Sequence, residues 1–230
     1  MNNPKSIALV FGGSGTIGQA IVKELKKYFT NVLIVSRSPS QGDIIWDGET
    51  ELCTKSIDKK SVSAIVWAQG INFSDNIDSL DMDLHRVMYE ANVGYILRSL
   101  QAMLHSDLLA SSARLCVISS IWQNLARQNK LSYSITKAAL QGLVNSLAVD
   151  LGTSGFLINA VLPGAIDTPM THENLSTEQI KAIKKETPLG TLASLEDVAK
   201  LVYFLCSDNN IGITGQFIAA DRGFSHARIL

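Results

Sequence analysis

The chain has 230 residues, 46% of them hydrophobic, and its 20 basic and 21 acidic residues leave a net charge of −1. This length suits one well-buried α/β domain and is short for two. The balanced charge supports neither a nucleic acid nor a membrane surface as a partner, and no apolar run approaches the roughly 18 residues that cross a bilayer. Three widely spaced cysteines predict reduced thiols and a cytoplasmic location. The four histidines show no metal-ligand spacing, so no metal site is expected.

The first element is a short apolar run, Ser6–Phe11, typical of a strand buried on both faces of a parallel sheet. A glycine-rich turn follows, and a helical pattern comes after it. In this order Gly12 permits a tight turn, Gly15 lets backbone N–H groups approach a diphosphate, and Gly18 allows helix and strand to pack closely. The flanking elements favour dinucleotide binding over a plain turn. The predicted cofactor residues of this loop are Gly12, Ser14, Gly15, Thr16, Ile17 and Gly18.

The second buried strand, Val32–Val35, ends at Ser36 and Arg37. In a dinucleotide fold this tip lies beside the adenosine ribose. An acidic residue there binds the 2′-hydroxyl of NAD, whereas an arginine accommodates the 2′-phosphate of NADP. Because Ser36 is small and uncharged and Arg37 can form a planar fork with phosphate, we expect NADP(H) to be preferred and NAD(H) to be the second option. The alternative for Arg37 is an ordinary exposed loop residue.

Two further strands are predicted at Ile44–Trp46 and Ala64–Ala68, with room between them for only a brief helix or loop. Ala68 and Gly70 follow at the end of the second of these strands. A small residue and a glycine suit a cofactor that lies across the strand tip, although a simple turn of the chain at Gly70 explains them equally well.

Residues 81–109 carry apolar side chains at helical spacing and predict one long helix, or two abutting ones, interrupted near Asn92. An asparagine inside a helix is out of place unless its amide bonds to backbone or water, so Asn92 marks either a helix irregularity or a functional residue. The fifth strand, Arg114–Ile118, delivers Ser120 to the carboxyl edge of the sheet. Open α/β sheets bind their ligands at this edge.

Thirteen residues after Ser120, Tyr133 and Lys137 form a Tyr-x-x-x-Lys pattern at the start of a predicted helix that runs through Leu151. Residues four apart are neighbours on one helix face. A phenol has a pKa of about 10, and an ammonium one turn away favours the phenolate and lowers that pKa, as general acid–base catalysis requires. Ser120 could then polarise a carbonyl oxygen beside the phenol. The Tyr-x-x-x-Lys pattern alone is common in helices, so the neighbouring motifs decide whether it marks a catalytic site.

A sixth strand, Leu157–Leu162, is stopped by Pro163 and Gly164, and an ordered loop leaves it near the expected cofactor. Residues of about 170–190 are polar, lysine-rich and weakly helical, which predicts a lid over a substrate pocket. A further helix and a last strand, Gln216–Ala219, complete the chain. We see no repeat, linker or boundary, and therefore expect one domain over residues 1–230.

With these motifs in this order, the chain resembles the short-chain dehydrogenase/reductase family over nearly its whole length, from Ile7 to about Gly223. Residues 190–223 are similar to the C-terminal signature of bacterial members that resemble 3-oxoacyl-carrier-protein reductase. The resemblance implies a single-domain, Rossmann-type, doubly wound parallel sheet of about seven strands with helices on both faces. It also implies a homodimer or homotetramer.

The resemblance assigns a role to each matching residue. Tyr133 would exchange a proton with the substrate oxygen, and Lys137 would lower its pKa and bind the nicotinamide ribose. Ser120 would orient the carbonyl, while Asn92 would hold a water in a proton relay that reaches Lys137. The cofactor would also contact Ala68, Gly70, Pro163, Gly164, Ile166 and Thr168, the last two at the nicotinamide carboxamide.

The chain also departs from the family pattern. Phe11 and Thr16 interrupt the usual Thr-Gly-x-x-x-Gly-x-Gly loop and leave a Gly-x-x-Gly-x-x-Gly spacing, similar to that of the extended members such as sugar-nucleotide epimerases. Residues 67–70 read Trp-Ala-Gln-Gly where the family has Asn-Asn-Ala-Gly. Because of these departures, the family's detailed phosphate contacts are less certain to apply to this chain. Ser120, Tyr133 and Lys137 are not affected by them.

We therefore expect an NADP-dependent oxidoreductase that transfers hydride between nicotinamide and a small carbonyl or alcohol substrate, with a carrier-protein thioester as one option. A second enzyme class is a nucleotide-sugar epimerase or dehydratase, which also uses Tyr-x-x-x-Lys but carries a larger substrate domain. A third class is a non-catalytic, cofactor-sensing protein.

The interpretation of Arg37 can be tested directly. In the variant Arg37→Ala, NADPH should bind more weakly by roughly 1.5–3 kcal/mol, because a charge-assisted hydrogen bond to the 2′-phosphate is lost. NADH, which lacks this phosphate, should bind almost as before. Calorimetric titration of both cofactors measures the difference, and equal weakening of the two would remove the 2′-phosphate assignment.

Overall fold

The computed structural model describes residues 6–38, 40–50, 52 and 57–226. Within these residues, seven strands form one parallel sheet in the order β3-β2-β1-β4-β5-β6-β7. The expected seven-stranded parallel sheet is thus confirmed. The strands are β1 (Ile7–Phe11), β2 (Asn31–Ser36), β3 (Ile44–Ile45), β4 (Val62–Trp67), β5 (Leu109–Ile118), β6 (Leu157–Pro163) and β7 (Phe217–Ala220).

Helices connect the strands. A π-helical turn, Glu90–Gly94, joins α2 and α3, and a 3₁₀ turn, Ile121–Gln123, follows β5. None of the helices in the described part of the chain is long and apolar enough to span a membrane. The helices are α1 (Thr16–Leu25), α2 (Met82–Tyr89), α3 (Tyr95–His105), α4 (Leu131–Gly152), α5 (Pro169–Asn174), α6 (Thr177–Glu186) and α7 (Leu195–Cys206).

The sheet is buried on both faces, as the continuous apolar runs of its strands predict. Successive side chains of a strand point to opposite faces, so Ala8 and Val10 pack with α1 and α7, whereas Leu9 and Phe11 pack with α3 and α4. On the second face an aromatic cluster surrounds Phe11. Its other members are Trp46, Trp67 and Tyr95, with ring centres 6.2, 6.0 and 5.9 Å from that of Phe11.

The winding direction of the sheet reverses between β1 and β4. The chain proceeds outward from β1 through β2 to β3 on one side, and from β4 through β7 on the other. The loops that follow β1 and β4 therefore leave in opposite directions and open a crevice at the carboxyl edge, where doubly wound sheets bind ligands. Gly12 and Ala68 border this crevice, and Ala68 N–H donates to the carbonyl of Phe11 at 2.9 Å.

Most predicted elements are present, with some corrected boundaries. The interruption expected in residues 81–109 is the π-helical turn. The strand predicted to start at Arg114 begins at Leu109, because the exposed Ser111 and Ser112 lie in a register shift between β4 and β5. The helix predicted from Tyr133 begins two residues earlier, at Leu131.

Residues 170–190 are more regular than the expected weak helicity. They contain most of α5 and all of α6. A capping box at Ser176 and Gln179 explains where α6 begins, because it satisfies two otherwise free backbone N–H groups.

Two of the three cysteines, Cys116 and Cys206, are buried free thiols, and Cys53 lies outside the described residues.

The close packing of the glycine turn against α1 leads to a stability prediction. A Cβ atom at Gly18 would lie 2.1 Å from the carbonyl oxygen of Gly12, so Gly18→Ala should lower the free energy of unfolding by about 3 kcal/mol or more. Gly142→Ala on α4 is the control, since no atom lies within 4 Å of the added Cβ and alanine favours the helix by up to about 1 kcal/mol. Urea unfolding would compare them, and equal stability would contradict the proposed contact.

Candidate active site

The glycine loop leaves the first turn of α1 open toward the crevice. Gly12 adopts φ +72°, and a Cβ atom there would lie 2.6 Å from the backbone nitrogen of Gln69, so the chain passes too close for any side chain. The N-cap of α1 is Gly15, no side chain bonds to the helix start, and its first turn holds no acidic residue. Free N–H groups and a positive helix end form a site for a phosphate group.

A cavity of about 600 Å³ extends from this loop along the tips of β2 and β4. Its size is in the range of ligand pockets. Arg37 lines the cavity at the tip of β2. The residue before it is Ser36 and not an acidic residue. The predicted cofactor residues on its wall are Gly12, Ser14, Gly15, Ser36, Arg37, Ala68 and Gly70.

Residues that the sequence interpretation did not single out also line this cavity. Asp47 lies on the wall, and bonds from Thr50 and the Glu49 N–H hold the pKa of its carboxyl at about 2, so it is charged. Tyr95 lies near both charged groups: burial raises the pKa of its hydroxyl, and the Arg37 guanidinium opposes this shift. No local sequence pattern identifies these residues, because β2, the loop after β3 and α3 converge only in the folded chain.

Gln69 is the second group that was missed. Its amide oxygen and nitrogen are both buried and have no hydrogen-bond partner among the described residues. Buried amides are almost always bonded, so an orphaned pair at the cavity wall fits a site that a polar ligand completes. The signal in the sequence is the departure at residues 67–70, where glutamine replaces the family's alanine. The loop, the cavity and this amide together fit a phosphorylated dinucleotide such as NADP(H).

The catalytic pair predicted from the sequence lies on one face of α4. The Nζ atom of Lys137 is 5.6 Å from the centre of the Tyr133 ring and donates a 3.1 Å hydrogen bond to the carbonyl oxygen of Ile118, the last residue of β5. The side chain of Lys137 is buried, with 5% of the residue exposed. A Cβ atom at Gly70 would lie 3.8 Å from this Nζ atom, so the lysine is adjacent to a residue of the cavity wall.

Ser120 joins the same group at the end of β5. Its Oγ atom accepts a 3.3 Å bond from the Trp122 N–H, which fixes the serine at the start of the 3₁₀ turn, and its hydroxyl acts to lower the pKa of Tyr133. Trp122 itself is half-buried and packs against the core. The structure therefore brings Ser120, Tyr133 and Lys137 together at the end of β5 and the start of α4, with Lys137 adjacent to Gly70 of the cavity wall.

The direction in which the pKa of Tyr133 is shifted differs from the expected one. Lys137 was predicted to lower the pKa of Tyr133, but burial raises the pKa of the phenol, and the opposing effect comes from the hydrogen bond with Ser120. Burial also lowers the pKa of Lys137, to about 8. Because desolvation disfavours both charged forms, the expected lowering of the Tyr133 pKa by Lys137 does not occur in the chain alone, while the roles of the two residues stay predictions.

Asn92 lies in the π-helical turn, and both its amide oxygen and its amide nitrogen have hydrogen-bond partners. Its Oδ1 atom accepts the Ile71 N–H at 2.9 Å, and its Nδ2 atom donates to the Ile71 carbonyl at 3.1 Å and to Thr136 Oγ1 at 3.0 Å. These bonds meet the condition that a buried mid-helix asparagine must satisfy. The side chain therefore ties the loop after β4 to α4, and its part in a water relay stays a prediction.

The remaining predicted cofactor residues lie apart from the cavity wall. Thr16, Ile17 and Gly18 form the first turn of α1. Pro163 ends β6, and the loop after it forms a short bridge between Ile166 and Ala193, the residue before the N-cap of α7. The last positions of this set are Gly164, whose N–H donates to the Ala220 carbonyl, and Thr168, whose hydroxyl caps α5.

In the described part of the chain, no cluster of three or more His, Cys, Asp or Glu could hold a metal ion.

Comparison with known proteins places this site in a family. Residues 50–225 match the family model described as enoyl-(acyl carrier protein) reductase. The chain is 33% identical to the 3-oxoacyl-[acyl-carrier-protein] reductase of Rickettsia felis, over 94% of this chain and 95% of that protein. It is 29% identical to the L-rhamnose 1-dehydrogenase (NADP(+)) of Thermoplasma acidophilum, over 94% of each.

The fold comparison agrees. The chain superposes on a gluconate 5-dehydrogenase from Burkholderia cenocepacia, solved in complex with NADP and tartrate, with a TM-score of 0.89, 18% identity and 96% of each chain covered. At this identity the likeness shows the fold. Together with the family match, it establishes that the chain belongs to the short-chain dehydrogenase/reductase family and is an NAD(P)-dependent oxidoreductase.

The effect of the Ser120 hydroxyl on the acidity of Tyr133 can be tested. Ser120→Ala should raise the pKa of Tyr133 further, because a hydroxyl that favours the phenolate is removed while burial remains. The pKa can be followed by NMR of tyrosine labelled with ¹³C at Cζ. Ser119→Ala is the control, since the Ser119 hydroxyl donates to Gln123 Oε1 at 2.8 Å. An unchanged pKa in Ser120→Ala would contradict the assignment.

Proposed function

We propose that this protein reduces a carbonyl compound with NADPH, or oxidises the corresponding alcohol with NADP⁺, and that Tyr133 is its acid–base. The observation that carries the proposal is the grouping of Tyr133, Lys137 and Ser120 at the carboxyl edge of the sheet, next to the cavity that starts at the glycine loop. A nicotinamide cofactor supplies or accepts the hydride when it is bound.

In the reducing direction the Tyr133 hydroxyl donates its proton to the substrate oxygen as the carbonyl carbon becomes a carbinol carbon. The phenol is suited to this role because burial keeps it protonated at neutral pH. Hydride and proton together convert the carbonyl to the alcohol without a further reactant. In the oxidising direction the same oxygen accepts the proton, so this direction is favoured by higher pH.

Lys137 and Ser120 assist this transfer. Lys137 lies one turn along α4, and its ammonium stabilises negative charge that develops on the phenol oxygen as the proton leaves. Ser120 presents a hydroxyl beside that of Tyr133 and can hydrogen-bond the substrate oxygen in the same place. The two groups thus hold the reacting oxygen within reach of the proton donor.

The preference for NADP(H) rests on Arg37. Its guanidinium lines the cavity at the tip of β2, and Ser36 leaves the position open that an acidic residue would occupy in an NAD site. A rhamnose dehydrogenase relative and a gluconate dehydrogenase of the same fold are described with NADP. The cofactor residues proposed from the sequence are retained, and Gln69 is added to them.

We further propose that residues 170–190 form a substrate lid. They lie between β6 and α7 and contain α6, which packs only Ile180 deeply while most of its other side chains are exposed. The relatives act on carrier-protein thioesters or on sugars according to their names. We favour a small carbonyl or alcohol substrate, with an acyl thioester on a carrier protein as the first class to try.

A homodimer or homotetramer and a cytoplasmic location are also proposed. Large apolar side chains are exposed on the helices that flank the site, where a second copy could cover them. These residues are Met82, Leu84, Val87, Leu97, Ile135 and Val149. The epimerase and cofactor-sensing alternatives are not favoured, because the family model and the curated relatives named above are reductases and dehydrogenases.

The variant Tyr133→Phe tests this function. It removes only the hydroxyl, so NADPH should still bind, whereas turnover should fall roughly 10²- to 10⁴-fold because the proton donor is lost. The wild-type protein is first screened for NADPH oxidation with 3-oxoacyl thioesters and with ketones and aldoses, and the best substrate is used for the variant. Tyr203→Phe on α7 makes the same chemical change away from the site and should leave turnover normal. Near-normal turnover in Tyr133→Phe would exclude the proposed acid.

A further inference from the structure

The helix that carries Tyr133 and Lys137 begins without a cap of its own. Its N-cap residue is Lys130, no local side chain bonds to the helix start, and no acidic residue lies in the first turn. The first N–H groups of a helix have no partner inside the helix. The residues next to the start of α4 therefore provide no side-chain acceptor for the backbone N–H groups of the turn that holds Tyr133.

Asp75, from the loop after β4, supplies the missing partners. Its carboxylate oxygen Oδ1 accepts the Ser132 N–H at 3.0 Å, and its backbone carbonyl accepts the Leu131 N–H at 3.2 Å. One residue thus accepts the N–H groups of both residues that precede Tyr133. The carboxylate also lies at the positive end of the helix, where negative charge is stabilising.

The contact is reciprocal and holds the loop as well as the helix. The Asp75 N–H donates to the Asn129 carbonyl at 3.2 Å. The Lys130 ammonium donates to Asn72 Oδ1 and to Ser74 Oγ, each at 3.0 Å. The start of α4 is thereby fixed to the loop that leaves β4.

The other end of this loop is fixed to the π-helical turn. Asn92 bonds both the N–H and the carbonyl of Ile71, and its Nδ2 atom also reaches Thr136 on α4. The loop from Ile71 to Asp75 is therefore tied to α4 at both of its ends. Asp75 bonds residues 131 and 132, which precede Tyr133, and Ile71 is linked through Asn92 to Thr136, which follows it. A rotation or shift of the first turn of α4 would have to break bonds at Asp75.

We propose that Asp75 is a positioning residue for the reaction, capping the catalytic helix from outside so that the Tyr133 hydroxyl stays in place relative to Ser120. This inference rests on the proposed role of Tyr133. Asp75 contacts the backbone of residues 131 and 132 and acts through them. Removing its side chain should displace the proton donor while leaving the glycine loop, and hence cofactor binding, unchanged.

The test compares Asp75→Ala with Asp75→Asn. In Asp75→Ala the Ser132 N–H loses its acceptor, so kcat should fall about 10- to 100-fold, the range that a displacement of about 1 Å can produce. The dissociation constant of NADPH, measured by calorimetry, should change by less than about threefold, since no residue at the α1 N-terminus is touched. Asp75→Asn keeps an acceptor oxygen and should restore kcat to within about fivefold of the wild type.

Asp81→Ala is the matched control. Asp81 caps α2 with the same chemistry, since its Oδ1 atom accepts the N–H groups of Asp83 at 2.8 Å and Leu84 at 3.1 Å, but α2 carries none of the proposed catalytic residues. Its loss should lower the melting temperature about as much as Asp75→Ala does and leave kcat within about threefold. If Asp75→Ala does not fold, Asp75→Glu replaces it, because it keeps the charge and moves the acceptor by one methylene.

The outcomes separate this proposal from the function on which it rests. A selective loss of kcat in Asp75→Ala, or in Asp75→Glu, with rescue in Asp75→Asn supports it. An unchanged kcat in the Asp75 variants, or an equal loss of kcat in Asp81→Ala, overturns it while Tyr133→Phe still inactivates. A failure of Asp75→Asn to rescue also overturns it, because a cap needs only an acceptor. Full activity of Tyr133→Phe removes the proposed function instead.

Discussion

The site depends on a buried ammonium that has a backbone carbonyl as its hydrogen-bond partner. Lys137 Nζ donates a hydrogen bond to the carbonyl oxygen of Ile118 at the end of β5, and burial lowers the pKa of its amine to about 8. An amine whose pKa is lower in the folded chain than in the unfolded chain binds its proton less well when folded. Its burial therefore costs stability below about pH 8, and that cost shrinks as pH rises toward the ordinary lysine value of about 10.4. The surrounding sheet and helices must compensate for this cost.

That compensation comes from a sheet buried on both faces and from the polar bonds that anchor α4. The apolar side of α4 packs against β5 and β6 through Leu140 and Val144. Its first turn is also held by polar bonds from Asp75 and His85 to Ser132, and Asn92 bonds Thr136 in the next turn. The core thus fixes where the helix lies, while a few polar contacts fix the orientation of the end that carries Tyr133. The two requirements are met by different parts of the chain.

The sequence was sufficient for the elements whose cause is local. The apolar run before Gly12, the helical spacing after it and the placement of Tyr133 and Lys137 on one helix each follow from the periodicity of a strand or a helix, and β1, α1 and α4 agree with them. The cap by Asp75 was not predictable, because it joins residues 57 positions apart and lies outside any local capping pattern. The pKa of Tyr133 was also missed, since a helical spacing shows which charges are neighbours but not how much water they lose.

The aromatic cluster on one face of the sheet has a consequence for observing the molecule. Trp46 and Trp67 pack around Phe11, and Tyr95 connects this cluster to the wall of the cavity. A reduced nicotinamide absorbs light at the wavelengths where indole emits. Ligand occupancy and the state of the surrounding core are therefore reported by the same intrinsic fluorescence, without any added label.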